Sequence, residues 1–141
     1  MEADHRNIAG HETVVTALGK WPSFHDAEVV SIVLERNAGE DLTPPQMTVT
    51  LHAFRLEVAA DDPARNDCRI TLLFRGIEQL RLADFNNQNA INGISITSHR
   101  SDQLQREVFK VKFHPGFGVS GDFQCDEIEV LSVRPMPVKG G

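Results

Sequence analysis

The sequence predicts an α+β domain: one N-terminal helix packed on a curved antiparallel sheet of seven or eight strands. Three observations predict it. A short amphipathic stretch at helical spacing comes first. From Ala27 onward the apolar period drops to two. Clusters of Gly, Pro, Asn and Asp then cut the rest of the chain into pieces of strand length. A parallel sheet with alternating helices would defeat this expectation.

The helix is expected over His11 to Leu18, where Val14, Val15 and Leu18 share one face and Ile8 lies one or two turns earlier. Gly19 is a helix stop, with Pro22 beyond it. The first strand spans 27–36 and alternates Glu28, Val30, Ile32 and Leu34 against Val29, Ser31 and Val33. Met47, Val49 and Leu51 then alternate with Thr48, Thr50 and His52, and Cys68, Ile70, Leu72 and Phe74 with Arg69, Thr71 and Arg75. Phe109, Val111 and Phe113 alternate with Lys110, Lys112 and His114, and 77–83, 93–99, 117–124 and 127–134 complete the set. A short turn of helix is expected over 86–92. Breaks fall at Asn37-Ala-Gly39, at Thr43-Pro-Pro45, over 59–67 and at His99-Arg-Ser-Asp102.

The core follows from these phases: Leu18, Trp21, Phe24, Val30, Ile32, Leu34, Val49, Leu51, Ile70, Leu72, Leu82, Ile94, Val111, Phe113, Phe123, Val130 and Leu131. A chain of 141 residues suits a single domain, 1–141, with an ordered core of about 8–134 between flexible tails. It can bury roughly two-thirds of its unfolded surface without staples. Eight Phe against one Trp and no Tyr put the large rings inside, with no aromatic platform left for bases or sugars.

Charge narrows the function classes. The net charge is −6, and all of the excess lies in residues 1–70, with 12 acids against 6 bases, while residues 71–141 hold 8 of each. Phosphate-backbone binding needs clustered Lys and Arg, so no nucleic-acid partner is expected, whereas an acidic half suits a basic protein partner. No run approaches the roughly 18 apolar residues of a membrane span, and Met1 to Arg6 is no secretory signal, which points to the cytoplasm. Cys68 and Cys125 sit in separate strands and read as buried free thiols.

Few residues offer chemistry. Gly116-Phe-Gly118-Val-Ser-Gly121 matches a dinucleotide-binding spacing, but that chemistry needs a helix after the glycines, and the residues that follow alternate like a strand. A hairpin turn leading into a bulged strand fits better. His25 and Asp26, with Glu28 two positions on, form a polar group that satisfies backbone groups where the first strand begins, or binds a ligand. A buried member and a stability loss in Asp26→Ala are expected of the structural role. Phe85-Asn-Asn-Gln-Asn89 packs four amides into five residues, and such groups are costly to bury unless paired. Asn86, Gln88 and Asn89 bridge a turn to strand edges, or face a partner. No nucleophile elbow, paired carboxylates or metal-ligand spacing is legible, so no catalytic residue, metal or cofactor is assigned.

The block Trp21-Pro-Ser-Phe-His-Asp-Ala-Glu-Val-Val-Ser-Ile32, then Phe85-Asn-Asn-Gln-Asn89, then Phe113 to Cys125, and finally Glu127-Ile-Glu-Val-Leu-Ser-Val133, resembles the bacterial polymorphic-toxin immunity proteins of family 50 over roughly 12–134. The resemblance implies a small cytoplasmic protein that neutralises a cognate toxin domain by binding it. Contact through acidic loop residues Asp61, Asp62 and Asp67 is expected. The alternative is a small-molecule-binding protein or metal-dependent enzyme with a site around His25, Asp26 and His114. A homodimer is also expected to be open to the chain, because 47–57 and 127–134 lack the guarding lysines that 106–114 carries as Lys110 and Lys112.

Overall fold

A computed structural model of the chain describes residues 3–36, 45–54, 67–103 and 105–136. The elements are α1 (His11–Leu18), β1 (Glu28–Glu35), β2 (Gln46–Ala53), β3 (Cys68–Arg75), β4 (Glu78–Ala83), β5 (Ala90–Ser101), β6 (Arg106–Phe117), β7 (Ser120–Cys125) and β8 (Glu127–Pro135), after one 3₁₀ turn at His5–Asn7. The strands form one eight-stranded sheet in the order β4-β7-β6-β5-β1-β2-β3-β8, antiparallel at every ladder. With one α-helix, of eight residues, among the described residues, the fold is mainly β and broadly of the α+β type expected. The turn at Asn37 to Gly39, Thr43 and Pro44, most of the 59–67 loop with Asp61 and Asp62, and the tail from Pro137 lie outside the described residues.

Pairing divides the sheet in two. β5 and β6 pair along their whole length, and β1 with β2 does the same, but β1 meets β5 only at Glu28 opposite Ala90. The halves β1-β2-β3-β8 and β4-β7-β6-β5 therefore share one junction. β3 and β6 stand four places apart in the strand order, which is about 19 Å across a flat sheet. Yet the Phe74 ring of β3 lies 6.3 Å from Phe113 of β6 and 4.9 Å from Phe123 of β7, all in edge contact. The sheet must fold over at the junction, and the core is the space between its halves. Met47, Val49, Leu51, Ile70, Leu72, Phe74, Val111 and Phe113 fill it.

α1 buries Val14 and Leu18 and lies against β8. Gly19 ends it in a left-handed conformation (φ 88°), with its N–H donating to the Val15 carbonyl at 2.8 Å. Just before the helix, Ala9 donates to Ile128 and accepts from Val130, so this segment covers part of the free edge of β8.

Several expectations are corrected. Residues 86–92 contain no helical turn; they form an amide-stapled loop running into β5. The 46–53 and 106–117 strands are internal, so the first is no free edge, and Lys110 and Lys112 guard none. The 127–134 strand does end the sheet as β8, with no Lys and with only Ala9 bridged to its outer side, and a second open edge lies on β1, where no described residue hydrogen-bonds the β5 side beyond Val29. β1 also breaks its phase: a bulge at Val30 turns Val29 inward, and Val30, Leu34 and Leu131 are exposed rather than core. Leu131 is the extra residue of the matching irregularity in β8. Two rings expected inside, Phe85 and Phe117, are exposed by 52% and 66%.

Candidate functional site

The junction is where the unusual sequence blocks meet. It begins at Trp21, whose ring sits edge-on to Phe24 at 5.6 Å. Phe24 is buried, and it and Asp26 both hold φ near 64°, a left-handed backbone that costs a non-glycine residue free energy. This double kink lays residues 23–29 beside β5. Ile94 donates to the Ser23 carbonyl, Asp26 to Ile91, Ile91 to Ala27, and Val29 to Asn89, all at 2.9–3.0 Å.

Asn89 is the one buried polar side chain among the described residues, 3% exposed. Its Oδ1 accepts the Asn86 N–H at 2.8 Å and the Val119 N–H at 3.2 Å, and its Nδ2 donates to the Asn86 carbonyl at 2.7 Å. Its own N–H donates to Glu28 Oε1 at 2.9 Å. Every group is satisfied, which is what makes a buried amide tolerable. Gly118, at φ 90°, lies so close that a Cβ there would meet the Gln88 carbonyl and stand 2.7 Å from Asn89 Oδ1. The glycine-rich stretch thus serves a tight approach between loops and is followed by strand β7, with no helix for a pyrophosphate.

His25 and Asp26 stand at the rim. His25 Nδ1 lies 3.1 Å from the Asn92 carbonyl and its Nε2 lies 3.5 Å from Asp26 Oδ2, with side chains 52% and 64% exposed. Neither is mostly buried, against the expectation for a structural pair, because the kink needs the backbone of these residues and turns their side chains to water. Asn86 and Gln88 are exposed too, and of the amide block only Asn89 is enclosed. The sequence flagged the block; it could not say which amide faces inward, because that depends on Glu28 and Val119, both far away in the chain.

Other candidates are dispersed. His114 bonds Ser95 through Nε2 at 2.5 Å on the outer face of the β5–β6 ladder, and no group of three His, Cys, Asp or Glu side chains able to hold a metal occurs among the described residues. Asp67 is half-buried, with its carboxylate 3.4 Å from His52 Nε2. Cys68 and Cys125 are buried free thiols on opposite halves. Burial, with Asp67 nearby, pushes the Cys68 thiol up to about 11, and burial, with Asp126 nearby, pushes Cys125 up to about 12. A thiol held protonated is a poor nucleophile.

The chain is thus a mainly-β protein whose distinctive residues build a joint and leave apolar rings on its rim, as a binding module would. It belongs to the Immunity protein 50 family, whose model matches residues 10–136. No curated protein and no solved structure matches it. Membership makes it an immunity protein. The stretches Trp21 to Ile32, Phe85 to Asn89 and Phe113 to Cys125 meet at the junction through the contacts of Val29, Glu28 and Val119 with Asn89. No helix among the described residues is long and apolar enough to cross a membrane.

Proposed function

We propose that this protein binds a cognate toxin domain in the cytoplasm and neutralises it by occlusion, acting as a binder and not as a catalyst. Family membership supports the partner class. The observation that carries the mode of action is the pair of exposed rings beside the junction. Phe117 lies opposite Ala90, and Phe85 directly precedes the loop stapled by Asn89. Exposed aromatics on a rigid support are the usual anchors of an interface, because they bury much area for little lost rotamer freedom. The acid excess of residues 1–70, with Asp61 and Asp62 foremost, steers a basic partner, while Asp67 is already engaged with His52.

The test is titration calorimetry, with stopped-flow mixing for the rates, against a toxin domain identified by co-purification or from a neighbouring open reading frame. Phe85→Ala with Phe117→Ala should weaken binding by about 100-fold at an unchanged melting temperature. Charge reversal at Asp61 and Asp62 should slow association and flatten its salt dependence. Full affinity in the double Phe variant removes the junction rim as the contact. Self-association, if the chain uses it, runs through the open edge of β1; a monomer mass by light scattering at tens of micromolar removes that part.

A further inference from the structure

We infer that the outer face of the β1-β2-β3-β8 half carries a binding site for a phosphate-type oxyanion, centred between Arg69 and Arg134. Register carries the inference. Arg69 of β3 lies directly opposite Arg134 of β8, so two guanidinium side chains share one face at neighbouring positions. Like charges in that relation repel, and no other like-charged pair of Arg, Lys, Asp or Glu stands in register among the described strands. Arg75 faces Glu127, Arg81 and Lys112 both face Asp122, and Arg100 faces Glu107. Arg75 and Arg106 also hold ion pairs at 2.7 and 2.8 Å, with Glu129 and Asp126. Arg69 and Arg134 hold none with a described residue. In a chain of net charge −6, an opposed arginine couple with no ion pair among the described residues is a cost that a bound anion would offset.

The neighbouring row supplies the remaining donors. Ser31, Thr50, Thr71 and Ser132 are consecutive partners across the four strands, a line of hydroxyls one step along the same face. Thr50 Oγ1 and Thr71 Oγ1 lie 3.3 Å apart, which leaves Ser132 beside the arginines to donate outward. Arg69, Arg134, Thr71 and Ser132 form a square of side chains at the floor of a groove of about 420 Å³, and among the described residues no carboxylate lines that groove. Two described acids of the same region are engaged: Glu28 receives the Asn89 N–H, and Asp67 faces His52. Two guanidinium forks with flanking hydroxyls present more donors than the two oxygens of a carboxylate can use. A tetrahedral anion with three or four oxygens fits them better.

The experiment is a two-dimensional NMR titration of the full chain with inorganic phosphate, in a zwitterionic buffer with ionic strength held by chloride. Saturable shifts are expected at Arg69, Thr71, Ser132 and Arg134. Arg69→Gln or Arg134→Gln should weaken binding about tenfold or more. Phosphate should raise the melting temperature of the parent alone. Without phosphate the double Gln variant should melt no lower than the parent, which shows that the variants fold. Phenyl phosphate binding as tightly as inorganic phosphate assigns the site to a phosphate ester, and weaker binding assigns it to the free anion. Shifts that chloride reproduces, shifts that survive both Gln substitutions, or acetate binding as tightly as phosphate would each overturn the inference. None of these outcomes depends on the toxin, so the site stands or falls apart from the reading above.

Discussion

β1 and β2 are the two arms of one hairpin, and β1 is the more apolar, yet only β2 keeps its apolar side chains from water. In β2 burial alternates without a break, and Met47, Val49 and Leu51 are fully enclosed. In β1 only Val29 is enclosed, and Val30, Val33 and Leu34 are exposed by 39%, 48% and 53%. Leu34 and Met47 are direct partners in the ladder, so position along the hairpin does not separate them. Position across the sheet does. β2 has β1 on one side and β3 on the other, whereas β1 has one full ladder and a single bridge to β5. Period two decides which face a residue takes; a neighbouring strand on both sides decides whether that face is covered.

The contrast depends on the junction holding β1 against β5, so the largest effect is expected there. Asn89→Ala orphans the Val119 N–H in a buried setting and the Asn86 N–H in a half-buried one, and it opens a small void. At roughly 1–3 kcal/mol per orphaned group, the loss should come to about 4 kcal/mol by urea denaturation. Cys68 and Cys125 labelling would then show whether the halves open together. A loss below about 1 kcal/mol would mean that the halves are held by the Phe74, Phe113 and Phe123 cluster alone.

The next largest effect tests the hairpin itself. Met47→Ala should destabilise by about 3 kcal/mol, since it empties a filled volume in the core. Leu34→Ala, directly across the ladder, should cost less than about 0.5 kcal/mol. Equal losses would show that β1 is covered in solution, by a partner strand or a second copy on its open edge.

The alternation of β2, β3 and β6 is plain in the sequence because each of these strands has two neighbours, and the helix over His11–Leu18 is plain because Gly19 ends it. What is not legible is anything set by a distant partner. The bulge at Val30 shifts the inward position to Val29, and nothing local in Val29-Val30-Ser31 announces it. The burial of Asn89 needs Glu28 and Val119, and the role of Gly118 needs the Gln88 carbonyl. The pairing of Arg69 with Arg134 exists only once β3 and β8 are in register. His25 and Asp26 caught attention as charged side chains, but it is their backbone that the fold uses.

Cover also governs the thiols, one in each half. Both pKa values are raised in the folded chain, to about 11 and about 12 against 9.0 for an ordinary thiol. Above pH 9 the unfolded chain therefore gives up protons that the folded chain keeps, so stability present below pH 9 is lost as pH rises towards 11 and 12. A decline of about 2 kcal/mol is expected over the first pH unit above 9, and Cys68→Ala with Cys125→Ala should remove it relative to the parent. Native protein at neutral pH should resist iodoacetamide. Rapid labelling of Cys125 alone would show the β4-β7-β6-β5 half opening independently.

The smallest effect belongs to Asp26, in the exposed turn just ahead of β1. Its ion pair with His25 is 3.5 Å long and mostly in water, so it contributes at most about 1 kcal/mol. Its backbone is left-handed, a conformation that glycine adopts without strain. Asp26→Gly therefore removes the carboxylate while easing the kink, and stability should stay within about 0.5 kcal/mol of the parent. Asp26→Ala keeps the strain and loses the ion pair, so it should be the less stable of the two by about 1 kcal/mol. Both should bind toxin within a few-fold of the parent, as expected for a charge on the rim of a contact whose anchors are Phe85 and Phe117. If Asp26→Gly keeps its melting temperature and loses binding outright, the carboxylate itself touches the partner, and the contact centres on the kink ahead of Glu28 rather than on the two rings.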